Sequence, residues 1–131
     1  MRKFSADLNS DGTAWIRAVP LYSGAGTLTA RTGTHRVYND SGAALRIVNA
    51  RASVGTAPAG ASIVVDIRVD GTSIYGTPSN RPTIAAAGNT SGKNVGMSTT
   101  AWPDGSYVTV DIVSVGSSTP GSDLTVQLAV A

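Results

Sequence analysis

Glutamate and cysteine are absent from this chain, and histidine occurs once, as His35. Without cysteine there can be neither disulfides nor thiolate metal sites. One imidazole standing alone makes a poor metal site. No G-x-S-x-G elbow is present to complete a triad around it, so His35 reads as a surface or interface residue. Charged residues are scarce, at 14% of the whole. Catalytic sites draw on Cys, His, Glu, Lys or a metal cluster. The composition therefore points to work done by shape and surface rather than to an enzyme, and no cofactor is implied.

What fills the chain instead is Thr, Ser, Val, Gly and Ala. Strands favour β-branched residues, and tight turns need Gly, Pro, Asn and Asp. The 131 residues fit one domain, long enough to bury roughly two-thirds of the unfolded surface. Hydrophobic residues reach 41%, which argues against disorder. A surface of Ser, Thr, Asn and Gly lacks the charge that keeps a soluble monomer apart from its neighbours. Oligomerisation, or docking onto a larger assembly, follows as the expectation.

The net charge of +2 conceals an asymmetry. Residues 1–60 hold seven basic groups against three acidic ones, a net of +4, whereas residues 61–131 hold three against five, a net of −2. The basic half suits an acidic partner. Its cations are scattered, however, and nucleic acid wants a dense basic stripe with interleaved aromatics, so no nucleic-acid partner is expected. Met1-Arg2-Lys3 resembles the start of a signal peptide, but Asp7, Asn9 and Asp11 interrupt any apolar stretch behind it. No apolar run approaches the ~20 residues of a membrane span, so a soluble protein with no membrane partner is expected.

Strand rhythm is clearest beyond residue 43. Ile63, Val65, Ile67 and Val69 alternate with Ser62, Val64, Asp66 and Arg68, the period of a half-buried strand. Asp70-Gly71 and then Thr72-Ser73-Ile74-Tyr75 follow, a strong hairpin signal. Val108, Val110 and Ile112 alternate in the same way, as do Leu124, Val126, Leu128 and Val130, and residues 44–54 form another long strand. Pro58–Ile67 echoes Pro103–Ile112, each a Pro-x-Gly turn leading into a strand with Val-Asp-Ile at its middle. That echo fits two equivalent strands of a sandwich. Residues 78–96 read as a long connection with a turn of helix at 84–87, of the kind that is functional or pinned by a partner. The division is residues 1–40, an N-terminal arm with the first strands, and residues 41–131, a β-sandwich body. The fold class is all-β, an antiparallel sandwich of jelly-roll type with seven to nine strands.

Three further groups of residues invite a site. Asp7-Leu8-Asn9-Ser10-Asp11-Gly12 opens like a calcium loop, but the twelfth position is Ala18 where a bidentate acid is needed. An ordinary turn is the simpler reading, and no metal is expected. Asp66 and Asp111 have the look of paired glycosidase carboxylates, yet lie where an exposed or hydrogen-bonded Asp is common on a strand. Trp15 and Trp102 are the only indoles; they suit core or interface packing better than sugar stacking. Gly24-Ala25-Gly26 lacks the third glycine and the helix of a phosphate loop.

Certain passages resemble a β-sandwich domain of tailed-bacteriophage virion proteins. They are residues 42–48 (GAALRIV), 51–66 (RASVGTAPAGASIVVD), 80–86 (NRPTIAA), 102–111 (WPDGSYVTVD) and 115–126 (VGSSTPGSDLTV), and the likeness spans roughly two-thirds of the chain. The first forty residues do not share it. The resemblance implies a virion structural protein, expected to be a capsid decoration (cement) protein that binds the outside of the head and stabilises the shell. The expected partner is the major capsid protein and the expected assembly a homotrimer, since a closed ring needs one kind of heterologous contact. The protein would be made in the host cytoplasm and reside on the outer head surface. Arg2, Lys3, Phe4, Trp15 and Arg17 are the expected capsid-facing residues. The alternative is a tail-fibre or tail-tip module that recognises host-surface carbohydrate through Tyr75, Asn80, Arg81, Asn89, Asn94 and Trp102.

Overall fold

Alternating apolar residues form the strands, and the structure, a computed structural model, describes residues 15–131. Nine strands form in order: β1 (Arg17–Thr27), β2 (Val37–Tyr38), β3 (Leu45–Thr56), β4 (Ile63–Val69), β5 (Thr72–Ser73), β6 (Thr83–Ile84), β7 (Ala101–Trp102), β8 (Tyr107–Ser114) and β9 (Ser122–Val130). They make two antiparallel sheets. One runs β1-β9-β3-β7; the other runs β2-β8-β4, with β5 and β6 both bordering the far side of β4. Apart from the links β4–β5 and β5–β6, each connection crosses from one sheet to the other. That wrapping is the jelly roll expected from the sequence. The calcium-like residues Asp7, Asn9 and Asp11, and the expected contacts Arg2, Lys3 and Phe4, lie outside the described residues.

The inward-facing residues do what their alternation requires. Ile63, Val65 and Ile67 of β4 and Leu124, Val126 and Leu128 of β9 line the core from the two sheets, all fully buried. Each such side chain contributes about 1.5–3 kcal/mol by leaving water. Trp102 is the largest side chain in the core, 1% exposed, with its indole N–H donating to the Ser106 carbonyl at 3.1 Å. At the β4–β5 hairpin, Asp70 and Gly71 both take positive φ, 51° and 86°, as a type I′ turn demands. The sequence echo becomes adjacency: β4 and β8 pair antiparallel, with Asp66 directly opposite Asp111.

One local expectation is corrected. Residues 84–87 form no helical turn; Ile84 belongs to β6, opposite Ile63, and the chain then reverses through Ala87 at φ 70°. The helical turn is a 3-10 turn at Pro78–Asn80 instead, where proline's fixed φ suits the opening position. Gly24 and Gly26 lie within the first strand. β1 continues through both to Thr27, paired with β9 from Arg17↔Val130 to Thr27↔Ser122 and absorbing the glycines in an irregularity of register. The long connection is pinned by its own chain. Asn94 and Ala50 exchange backbone hydrogen bonds, and the Val54 and Ser91 N–H groups donate to Asn89 and Ala52.

Candidate functional site

β1 lies at the edge of its sheet, bonded to β9 on one side and to no strand on the other among the described residues. The two residues just before it are large, apolar and outward: Trp15 is 50% exposed and Ile16 59%. Arg17 and Ala18 are exposed as well. Pro20 sits in the strand, which an edge tolerates because no N–H is required there. The register shifts at Pro20/Tyr22 and again at Gly24/Thr27. Bulges of that kind discourage open-ended strand pairing. The regular stretch of the strand is therefore Arg17–Pro20, which holds the expected contact Arg17, with the expected contact Trp15 just ahead of it.

A second polar region covers the outer face of β4 and β8, where Asp66, Arg68, Thr109 and Asp111 point away from the core. Asp66 is buried, its side chain only 1% exposed. Its Oδ1 accepts from the Ser73 hydroxyl at 2.6 Å and from the Ile67 N–H at 2.9 Å. Its Oδ2 lies 3.3 Å from Arg81 Nη2 and 3.6 Å from Arg68 Nη2. Arg68 Nε donates to Asp111 Oδ2 at 2.8 Å, and that bond raises the guanidinium pKa. Asp111 Oδ1 accepts the Gly33 N–H at 2.7 Å. The two carboxylates are thus engaged by arginines and backbone. Tyr75 is buried behind them, and burial, with the Asp66 charge second, pushes its phenol pKa up.

Other sequence expectations find their places. His35 is exposed on the loop before β2, as anticipated. The face foreseen for carbohydrate does not assemble in that form, because the Tyr75 and Trp102 rings are both in the core. Of its polar members, Asn94 donates to the Asn80 carbonyl and Asn89 to the Val54 carbonyl, both acting as loop ties, while Arg81 joins Asp66. Among the described residues no three His, Cys, Asp or Glu gather to hold a metal ion, and no helix is long and apolar enough to cross a membrane. The sequence missed the grouping of Arg36 with Arg68 beside the Tyr107 ring. The segment before Arg36 passes through Gly33, a position where a Cβ would clash with the Val110 carbonyl oxygen.

No family model matches the chain, and no curated protein or solved structure matches it significantly.

Proposed function

We propose that the chain is a structural protein of a tailed-phage particle, a capsid decoration protein that docks on the outside of the head and stabilises the shell. The observation that carries this reading is the open edge of β1, with Trp15 and Ile16 exposed immediately ahead of it. Large apolar side chains held in water favour a protein partner, and aromatic and Arg residues supply most of the binding energy at interfaces. The likeness to virion sandwich domains supplies the kind of particle. Arg2, Lys3 and Arg17 complement an acidic shell, with Phe4 and Trp15 as apolar anchors on the major capsid protein. A homotrimer would seat three such edges at once and multiply their hold. Affinity for the assembled lattice over free subunits then stabilises the lattice by mass action.

The test is retention on purified heads. Full-length protein should stay bound through sedimentation, whereas deletion of residues 1–14, or Trp15→Ala with Ile16→Ala, should release it. Unchanged retention of both variants would overturn the docking role.

A further inference from the structure

A groove opens along one margin of the sandwich, between β1 at the edge of one sheet and segment 30–36, which borders β8 at the edge of the other. Leu21 and Tyr22 form the first bank, and Arg31 and His35 the second. Its volume is about 340 Å³, within the range of small-molecule sites. The floor is the margin of the core, where Leu21, Val110 and Ile112 are nearly buried. Arg31 turns to this side of its sheet because it stands opposite core-facing Ile112. The Tyr22 phenol lies along β1 over Gly24, where a Cβ would come within 2.6 Å of the hydroxyl.

The polar groups of this groove have no answering charge. No acidic residue lines it, and neither the Arg31 guanidinium nor the His35 imidazole makes a hydrogen bond or ion pair among the described residues. Asp66 and Asp111 stand on the outer face of the sheet, held by Arg81 and Arg68. An exposed arginine alone is satisfied by water; here it stands beside an apolar floor and an aromatic ring. We infer that this groove binds a small organic monocarboxylate with an apolar body, its carboxylate on Arg31 and His35 and its body against Leu21 and Tyr22. Arginine offers a carboxylate two parallel N–H donors, and an imidazole N–H can add a third. One guanidinium and one imidazole answer a single negative charge better than the double charge of a phosphate. Covering Leu21 and the Tyr22 ring adds attraction that a bare carboxylate lacks, so an aryl acid suits the groove.

The test is titration of the full chain with phenylacetate, phenylacetamide, acetate and inorganic phosphate, followed by backbone amide shifts in two-dimensional NMR, which registers weak binding. Phenylacetate should shift the amides of residues 21–24 and 31–35. Phenylacetamide keeps the ring without the charge, and acetate keeps the charge without the ring; each, like phosphate, should bind at least fivefold more weakly. Arg31→Gln should weaken phenylacetate binding at least fivefold. Arg46→Ala, which removes an exposed cation of the other sheet, should leave it unchanged. Equal binding of phenylacetamide, acetate or phosphate, undiminished binding in Arg31→Gln, an equal loss in Arg46→Ala, shifts confined to other residues, or no shifts at all would each overturn the inference. The shift map is read on the unaltered chain, so it decides the matter even where a variant does not fold. The inference does not rest on docking through β1, and no phage head enters its test.

Discussion

Arg68 ties together two aspartates that face each other across neighbouring strands: its guanidinium lies 2.8 Å from Asp111 and 3.6 Å from Asp66. Like charges directly opposite on a sheet are destabilising, so the pair is tolerable only with cations beside it. Arg68 supplies the diagonal contact and Arg81 the second. Arg68→Ala should cost about 1–2 kcal/mol, since Arg68 is partly in water and an exposed pair contributes little on its own. Asp66→Ala should cost more, about 2–3 kcal/mol, because the Ser73 hydroxyl, the Ile67 N–H and Arg81 lose a charged acceptor. Urea midpoints measure both. The reverse order would show that charge repulsion, rather than hydrogen bonding, governs this cluster.

Tyr75 gives a pH signature. Its hydroxyl is buried with no hydrogen-bond partner among the described residues, and its pKa is raised in the fold, by burial first and by Asp66 second. The unfolded phenol loses its proton near pH 10, before the folded one does. Stability from this group is therefore complete below that pH and falls as pH rises above it, by at most about 1.4 kcal/mol per pH unit. Tyr75→Phe should remove that component of the alkaline decline while costing little at pH 7. Denaturant titrations at pH 8 and pH 11 on both proteins check it; identical alkaline losses would refute the assignment.

Gly33 lies against the backbone of β8, with no room for a methyl group beside the Val110 carbonyl. Gly33→Ala must push segment 30–36 away and strain its bond to Asp111. A loss of about 2 kcal/mol or more is expected, in the range of overpacked positions, read as a lower melting temperature. An unchanged melting temperature would mean that the bank of the groove shifts freely.

The two tryptophans should separate cleanly. Trp102→Ala empties the largest space in the core and should cost about 3–5 kcal/mol. Trp15→Ala removes a half-exposed ring and should cost clearly less, about 1–2 kcal/mol. Thermal unfolding of the pair decides it, and a large stability loss at Trp15 would make that residue structural rather than a contact.

The long strands were legible because each has one face in the core, so Ile63–Val69 and Leu124–Val130 print a period of two. Asp70-Gly71 announced its hairpin through the positive φ both residues must adopt. β1 was harder to read. An edge strand has little to bury, and Gly24 and Gly26 weaken its pattern further. β2, β6 and β7 are two residues each, too short for any period. The helical reading of 84–87 failed because Ile84 is held by burial opposite Ile63, a tertiary contact that local propensity does not register. The Asp66–Arg68–Asp111 cluster was half visible, since the Val-Asp-Ile echo marked both aspartates but not their adjacency. Arg36 and Arg81 come from distant loops, and only the crossings between sheets bring them to one face.

The most direct measurement of the proposed decoration role is whether, and where, the protein sits on intact phage particles, by gold-labelled antibody or low-resolution imaging. Label distributed over the outer head surface, and lost when residues 1–14 are deleted, is the expected result. Label confined to the tail tip, or none on the particle, would contradict a decoration role.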